Sequence, residues 1–191
     1  MMASNAQWRM TEGEWDRTFH GWVTAPDPQA LLHSQVFFDF RAIFGGGDGW
    51  EAMVQRVHDA ALVSAHGSRR LHTHLAALAT FREPPIGFFR GLVVERSGDY
   101  ADTLDIKRGG TAAVVQMARL YAITAGTGEV DTLSRIRSTA GQTVPEKGAG
   151  DLFGAYTYLS NLTMKHQAAQ VRAGAAPCLL YTSPSPRDGL L

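Results

Sequence analysis

The chain of 191 residues carries 18 Lys and Arg residues against 18 Asp and Glu residues, and it contains one cysteine. Its length fits one domain, and 45% hydrophobic with 19% charged residues favours a globular protein over a disordered one. Zero net charge argues against a nucleic-acid or membrane-surface binder, and a lone cysteine cannot form an internal disulfide. We therefore expect a protein of the reducing cytoplasm.

The first two helices are indicated by their caps. Thr11 and Glu14 have the spacing of a capping box, and an apolar stripe at helical spacing follows: Trp15, Phe19 and Trp22. Asp27 followed by Pro28 predicts a second helix, with the aspartate as N-cap and the proline in the first turn. The aromatic run at 36–41 is compatible with a strand or with a buried helical turn, and periodicity does not decide between them.

Three further helices are predicted before residue 126. A glycine break at 45–47 precedes Asp48 and Glu51, which have the spacing of a second capping box and predict a helix up to Gly67. A leucine stripe over 71–78 predicts the next helix. Thr111 is the expected cap of a helix that ends at Gly126.

The other elements complete a mainly α fold. Residues 88–95 and 103–107 read as two strands of a β-hairpin. A shorter helix is predicted after Thr132, and Asp151 is the expected start of the last long helix. The predicted fold class is a helical bundle of about six to seven helices with one inserted β-hairpin.

Residues 178–191 differ from the rest of the chain. They contain two closely spaced prolines and have no helical period. The segment resembles a translated sequencing-adapter read-through. We therefore expect residues 1–177 to form the domain and 178–191 to be a non-native tail.

Two patterns that could suggest an active site are unconvincing. Gly67 and Ser68 resemble the Gly-Ser of a nucleotidyltransferase, but that chemistry needs an Asp-x-Asp pair for its metal ions, and the sequence contains none. His72 and His74 would diverge by about 200° on a helix, so a solvated helix face is the better interpretation.

Three clusters are the candidates for a binding site. Asp105, Lys107 and Arg108 precede two glycines and a predicted helix, which favours either a cradle for phosphate or carboxylate or a local ion pair of Asp105 with a neighbouring cation. Asp39 and Arg41 lie in an aromatic run and each needs a partner, so they form either structural ion pairs or a site facing another domain. The third and weakest candidate is His166-Gln167, as a hydrogen-bonded core pair or a ligand contact.

These clusters also carry a family likeness. The segments 22–28, 31–41, 84–90, 104–108, 118–122 and 166–167, in this order, resemble the putative nucleotidyltransferase substrate-binding domain. This is the C-terminal helical domain of bacterial proteins that often carry cyclic-nucleotide-binding and CBS domains upstream. The likeness covers about residues 2–177. Gly109 departs from it, because the family often has a second basic residue there.

The resemblance implies an accessory role. The chain would be a fragment whose catalytic domain, similar to the uridylyltransferase of the PII signal protein, lies upstream and holds Mg²⁺, while this domain holds no cofactor and is not catalytic alone. Its implied partners are that domain, a nucleoside triphosphate and a protein acceptor. The residues that we expect to bind substrate are Asp39, Arg41, Arg90, Asp105, Lys107, Arg108, His166 and Gln167.

The alternative is a non-enzymatic module that transmits signals from regulatory domains or forms a homodimer. Exposed aromatic side chains among Trp8, Trp15 and Trp22 would then form the interface.

Overall fold

A computed structural model describes residues 4–80, 103–178 and 180–182. The described part is mainly α, which confirms the predicted fold class. It contains seven α-helices and two short strands: α1 Glu12–Thr24, α2 Pro28–Phe37, α3 Trp50–His66, α4 Arg69–Thr80, β1 Thr103–Asp105, α5 Ala112–Ala125, α6 Thr132–Thr139, α7 Glu146–Arg172 and β2 Leu180–Thr182. None of these helices is both long and apolar enough to cross a membrane.

The first two helices begin at the predicted caps. The Thr11 hydroxyl accepts a hydrogen bond from the Glu14 backbone N–H, and the Glu14 carboxylate accepts one from the Thr11 N–H, so the capping box is confirmed. The Asp27 carboxylate accepts from the Ala30 N–H at 2.7 Å, with Pro28 in the first turn of α2. The aromatic run at 36–41 ends α2 at Phe37 and then continues without regular structure.

Two apolar clusters form the core. The larger joins α1 to α4 with the end of α5, and its buried centre includes Phe19, Leu71 and Ile123. The smaller joins α5, α6 and α7 around Ile136 and Ala118. Since α5 contributes buried residues to both clusters, it is the element that connects the two halves of the core.

The strand pair differs from the predicted hairpin. Of residues 103–107, Thr103–Asp105 form β1, which pairs antiparallel with β2, with Leu104 opposite Tyr181. The other predicted strand, 88–95, lies outside the described residues. Residues 180–182 thus have a structural partner, although they belong to the segment that we expect to be a non-native tail.

Two predicted helix starts are wrong, and a third is right only in position. Gly49, not Asp48, is the N-cap of α3; its φ of +84° is left-handed, and no side chain caps the helix. Thr111 is the N-cap of α5 and Gly126 its C-cap, as predicted, but the Thr111 side chain makes no capping hydrogen bond, because a five-residue π-helical turn, Lys107–Thr111, leads directly into the helix. The last helix begins at Glu146, more than a turn before Asp151.

Candidate functional site

Asp39 is the centre of an ion cluster that ties three parts of the chain together. Its Oδ1 accepts hydrogen bonds from Arg135 Nη1 at 2.7 Å and from Arg119 Nε at 3.3 Å, and its Oδ2 accepts from Arg119 Nη2. The arginine side chains are only 8% and 4% exposed, for Arg119 and Arg135, whereas that of Asp39 is 34% exposed. The expected partner for Asp39 is therefore confirmed, as a structural ion cluster.

The remaining bonds of the two guanidinium groups fix the segment around Asp39. Arg135 donates to the carbonyl oxygens of Phe38 at 3.2 Å and Glu129 at 2.7 Å, and Arg119 donates to Gln116 Oε1 at 3.2 Å. The end of α2 is thereby held against α5 and the start of α6.

Both buried guanidinium groups are engaged by the Asp39 carboxylate. Burial lowers the pKa of the Arg135 guanidinium, and the charge of Arg119 also lowers that pKa, whereas the carboxylate of Asp39 and, more weakly, that of the exposed Asp131 raise it. Because the Asp39 carboxylate and several carbonyl and amide oxygens already accept hydrogen bonds from the two arginines, the cluster has a structural role at the end of α2.

Arg41 lies outside the cluster. Its side chain is exposed, and among the described residues it has neither a hydrogen bond nor an ion pair, so the expected partner for Arg41 is not found there. The loop that follows exposes two neighbouring apolar side chains, Ile43 at 80% and Phe44 at 90%. This loop is a surface with both a free cation and apolar groups.

The second candidate cluster has a different geometry from the one predicted. Asp105 Oδ1 accepts a hydrogen bond from the backbone N–H of Arg108 at 2.8 Å, and the structure gives it no ion pair with either neighbouring cation. The side chains of Lys107 and Arg108 are exposed and have no ion-pair partner within the described part of the chain. Gly109 and Gly110 lie inside the π-helical turn, so they are not the loop before a helix that the sequence indicated.

The turn that carries these cations packs closely on α7. A Cβ atom at Gly110 would lie 2.9 Å from Leu159 Cδ1, which is closer than such contacts normally are. A larger residue at position 110 would require the Leu159 side chain to shift, so the turn that carries Lys107 and Arg108 lies directly against α7.

The third pair lies on α7, near the strand pair. Gln167 Nε2 donates to the Cys178 carbonyl oxygen at 3.4 Å, just before β2, and β2 pairs with β1 next to Asp105. His166 is half-buried. The structure thus relates Gln167 to the Asp105–Arg108 turn through β2, and it places Asp39 with Arg119 and Arg135 in a separate cluster; Arg90 lies outside the described residues.

His72 and the possibility of a metal site can be examined from the side-chain positions. His72 Nε2 lies 3.0 Å from the Ala65 carbonyl oxygen, and burial lowers the pKa of this imidazole, so His72 does not lie on a fully solvated face. Among the residues that the structure describes, no group of three or more His, Cys, Asp or Glu side chains could hold a metal ion.

The tryptophans are not the exposed interface that the alternative function requires. Trp8 stacks on Trp15 with ring centroids 6.2 Å apart, and both contact Phe37 and the edge of Trp22. All three tryptophans are half-buried, and Trp15 and Trp22 pack against the larger core cluster. Their packing explains them as part of the fold.

Comparison with known proteins gives one match. Residues 69–179, more than half of the chain, match the family described as a putative nucleotidyltransferase substrate binding domain. The chain belongs to this family. No curated protein and no solved structure matches the chain.

The matched segment of this nucleotidyltransferase substrate binding domain divides the candidate residues. It contains the π-helical turn, α5, α6 and α7, and therefore Lys107, Arg108 and both buried arginines. Asp39 and Arg41 precede it. The ion cluster thus links the matched segment to the preceding helices.

The roles of Arg119 and Arg135 were not among the predictions from the sequence. One signal was available for Arg119, because it is the single charged residue among the fourteen of α5, which is otherwise largely apolar. A lone cation on such a helix is expected to have a buried partner. Nothing comparable marks Arg135, since α6 is short and polar and carries a second arginine, Arg137.

Proposed function

We propose that this domain binds a nucleoside triphosphate through Lys107 and Arg108 and positions it, with its acceptor, for a separate nucleotidyltransferase catalytic domain. That domain is similar to the PII uridylyltransferase, holds the Mg²⁺ that nucleotidyl transfer requires and carries out the reaction in the cytoplasm. Upstream CBS or cyclic-nucleotide-binding domains regulate it. The present domain contributes orientation, which can lower a barrier by several kcal/mol.

The observation that carries this proposal is the pair of exposed cations, Lys107 and Arg108, on the turn that lies against α7. The charge of Asp105 is engaged by the Arg108 backbone N–H, so it leaves both side chains free to reach an external anion. A lysine and an arginine are the side chains that bind phosphate best, by point charge and by a bidentate fork. Since Asp105 already occupies the Arg108 amide, phosphate contacts come from the side chains.

The other candidate residues have supporting roles in this proposal. Asp39 orients the segment that carries Arg41, and Arg41 supplies a further exposed cation. Arg90 and His166 stay sequence-based assignments to the substrate site. Gln167 acts on the peptide backbone near β1.

A charge-matched pair of variants tests the proposal. Titration calorimetry of the full chain with a nucleoside triphosphate should show binding that Lys107→Ala/Arg108→Ala weakens at least tenfold, because charge-assisted hydrogen bonds contribute about 1.5–3 kcal/mol each. Arg69→Ala/Arg70→Ala removes the same charge from an equally exposed pair on α4 and should change binding less than threefold. Equal losses of triphosphate affinity in both double variants would mean that overall charge, and not a site at Lys107 and Arg108, determines binding, and would reject the site.

A second candidate function, an interaction module, is favoured by the exposure of Ile43 and Phe44. Neighbouring apolar side chains exposed this far often mark a binding surface. Ile43→Ser/Phe44→Ser should then convert an associated form into a monomer in sedimentation analysis, without changing triphosphate binding. A monomer at all concentrations before substitution would eliminate self-association through this loop.

A further inference from the structure

Cys178 and residues 180–182 are held on the domain through their main chain. The N–H of Cys178 donates to Gln170 Oε1 at 2.7 Å, and the carbonyl oxygen of the same residue accepts from Gln167 Nε2 at 3.4 Å. Residues 180–182 pair with β1 in an antiparallel ladder, with Leu180 opposite Asp105. The two glutamines thus bind the main chain of Cys178, and the edge of β1 binds that of residues 180–182.

The chemistry of these contacts is not specific for side chains. Gln167 and Gln170 are three residues apart on α7, so they project from the same face of the helix. A glutamine amide can donate or accept, and the pair therefore matches the N–H and C=O that every extended residue except proline offers. A strand edge likewise recognises main-chain groups.

We propose that Gln167, Gln170 and the edge of β1 form an acceptor site for an extended polypeptide segment, bound by strand addition, and that Cys178 and residues 180–182 occupy this site in the present chain. Strand addition obtains its affinity from main-chain hydrogen bonds. Segments of unrelated sequence should therefore exchange with these residues, provided that their backbone N–H groups are free.

The position of the site connects it to the proposed function. β1 leads through Ile106 into the turn that carries Lys107 and Arg108, so a segment bound along β1 lies beside the two exposed cations. The natural occupant is an extended segment of the protein acceptor, placed next to the nucleotide; this identification rests on the proposed function. The site itself binds a peptide backbone and does not depend on nucleotide binding.

The first test uses the unmodified full chain. Hydrogen exchange followed by NMR should show protection of the Cys178 amide, and Gln170→Ala should make that amide exchange about tenfold faster, since one hydrogen bond is lost. Gln142→Ala is the matched control, because the side chain of this exposed glutamine, in the turn after α6, donates to the nearby Ser138 carbonyl oxygen rather than to Cys178 or residues 180–182. An unprotected Cys178 amide, or equal effects of the two substitutions, would overturn the proposal.

The second test vacates the site. In the full chain, Cys178→Pro/Leu180→Pro/Tyr181→Pro removes the N–H that Gln170 binds, and it removes a ladder donor whichever of positions 180 and 181 faces β1. A synthetic peptide with the sequence of residues 177–183, with serine replacing cysteine, should then shift the amide resonances of Leu104 and of both glutamine side chains. A scrambled peptide should bind within about threefold, and a peptide N-methylated at the position of Cys178 about tenfold more weakly.

Binding of the original peptide but not the scrambled one would mean side-chain recognition and would contradict the proposal, as would the absence of binding by either. A triphosphate titration of the same variant distinguishes failure of the strand-acceptor site from failure of the proposed nucleotide-binding function. Retained triphosphate binding with no peptide binding would reject the strand-acceptor site alone.

Discussion

Removing the Asp39 carboxylate should destabilise the protein more than any exposed charge does. In Asp39→Ala, Arg119 and Arg135 lose the anion that accepts three of their hydrogen bonds, although both side chains stay buried. Breaking a buried ion pair costs about 3–5 kcal/mol. Because Asp39 itself is one-third exposed, water can partly replace it, and the lower end, about 3 kcal/mol, is expected.

Urea unfolding followed by tryptophan fluorescence measures this loss. With an m-value of about 2 kcal/mol/M, a loss of about 3 kcal/mol lowers the urea midpoint by about 1.5 M. Asp151→Ala is the control, since Asp151 pairs with Lys147 at 2.9 Å on the exposed surface of α7, where water and salt screen the pair and its loss should hardly move the midpoint. Midpoints for the two variants within about 0.3 M of each other would refute the view that Asp39 ties the helices together.

Three further predictions concern stability. Gly126→Ala should lower the free energy of unfolding by about 1–2 kcal/mol, because Gly126 ends α5 at a φ of +71°. Gly154→Ala, in open space on α7, should instead raise the free energy of unfolding by about 0.5–1 kcal/mol, and changes of the same sign in the two variants would contradict this reasoning. Thr11→Ala should lower the free energy of unfolding by about 1 kcal/mol and Asp48→Ala by less than about 0.5 kcal/mol, since of these two residues only Thr11 caps a helix. Equal losses of the two variants in urea titrations would contradict this difference. Burial lowers the pKa of the His72 imidazole, so the unfolded chain binds the proton more tightly than the folded chain does. The free energy of unfolding should therefore fall as the pH drops through and below about 6.5. His72→Gln should flatten this pH dependence between about pH 7 and 5, and an unchanged slope would contradict the prediction.

The predicted fold succeeded where local signals agree with tertiary packing. The Thr11 capping box and the Asp27–Pro28 start needed only residues within one turn, and both are present. Asp48 failed because Gly49 takes a left-handed conformation and caps α3 without a side chain. The early start of α7 is not evident from the sequence because two glycines between Glu146 and Asp151 favour a loop, whereas burial of Ala149 in the smaller core cluster stabilises the helix there.

Only those features of the candidate site that depend on residues close in sequence could be predicted. A charge between phenylalanines required a partner for Asp39, but the partners are 80 and 96 residues away, at Arg119 and Arg135, where no periodicity could connect them. The exposure of Lys107 and Arg108 could not be inferred either, because it depends on Asp105 turning to the Arg108 backbone N–H.

The location of a bound triphosphate tests the central claim most directly. Titration of the isotopically labelled full chain with a nucleoside triphosphate should shift the amide resonances of Arg108, Gly109 and Gly110 together, because their turn carries both phosphate-binding side chains. The same shifts should disappear in Lys107→Ala/Arg108→Ala. Saturable shifts confined to other helices, or no shifts at a triphosphate concentration well above the protein concentration, would contradict the account.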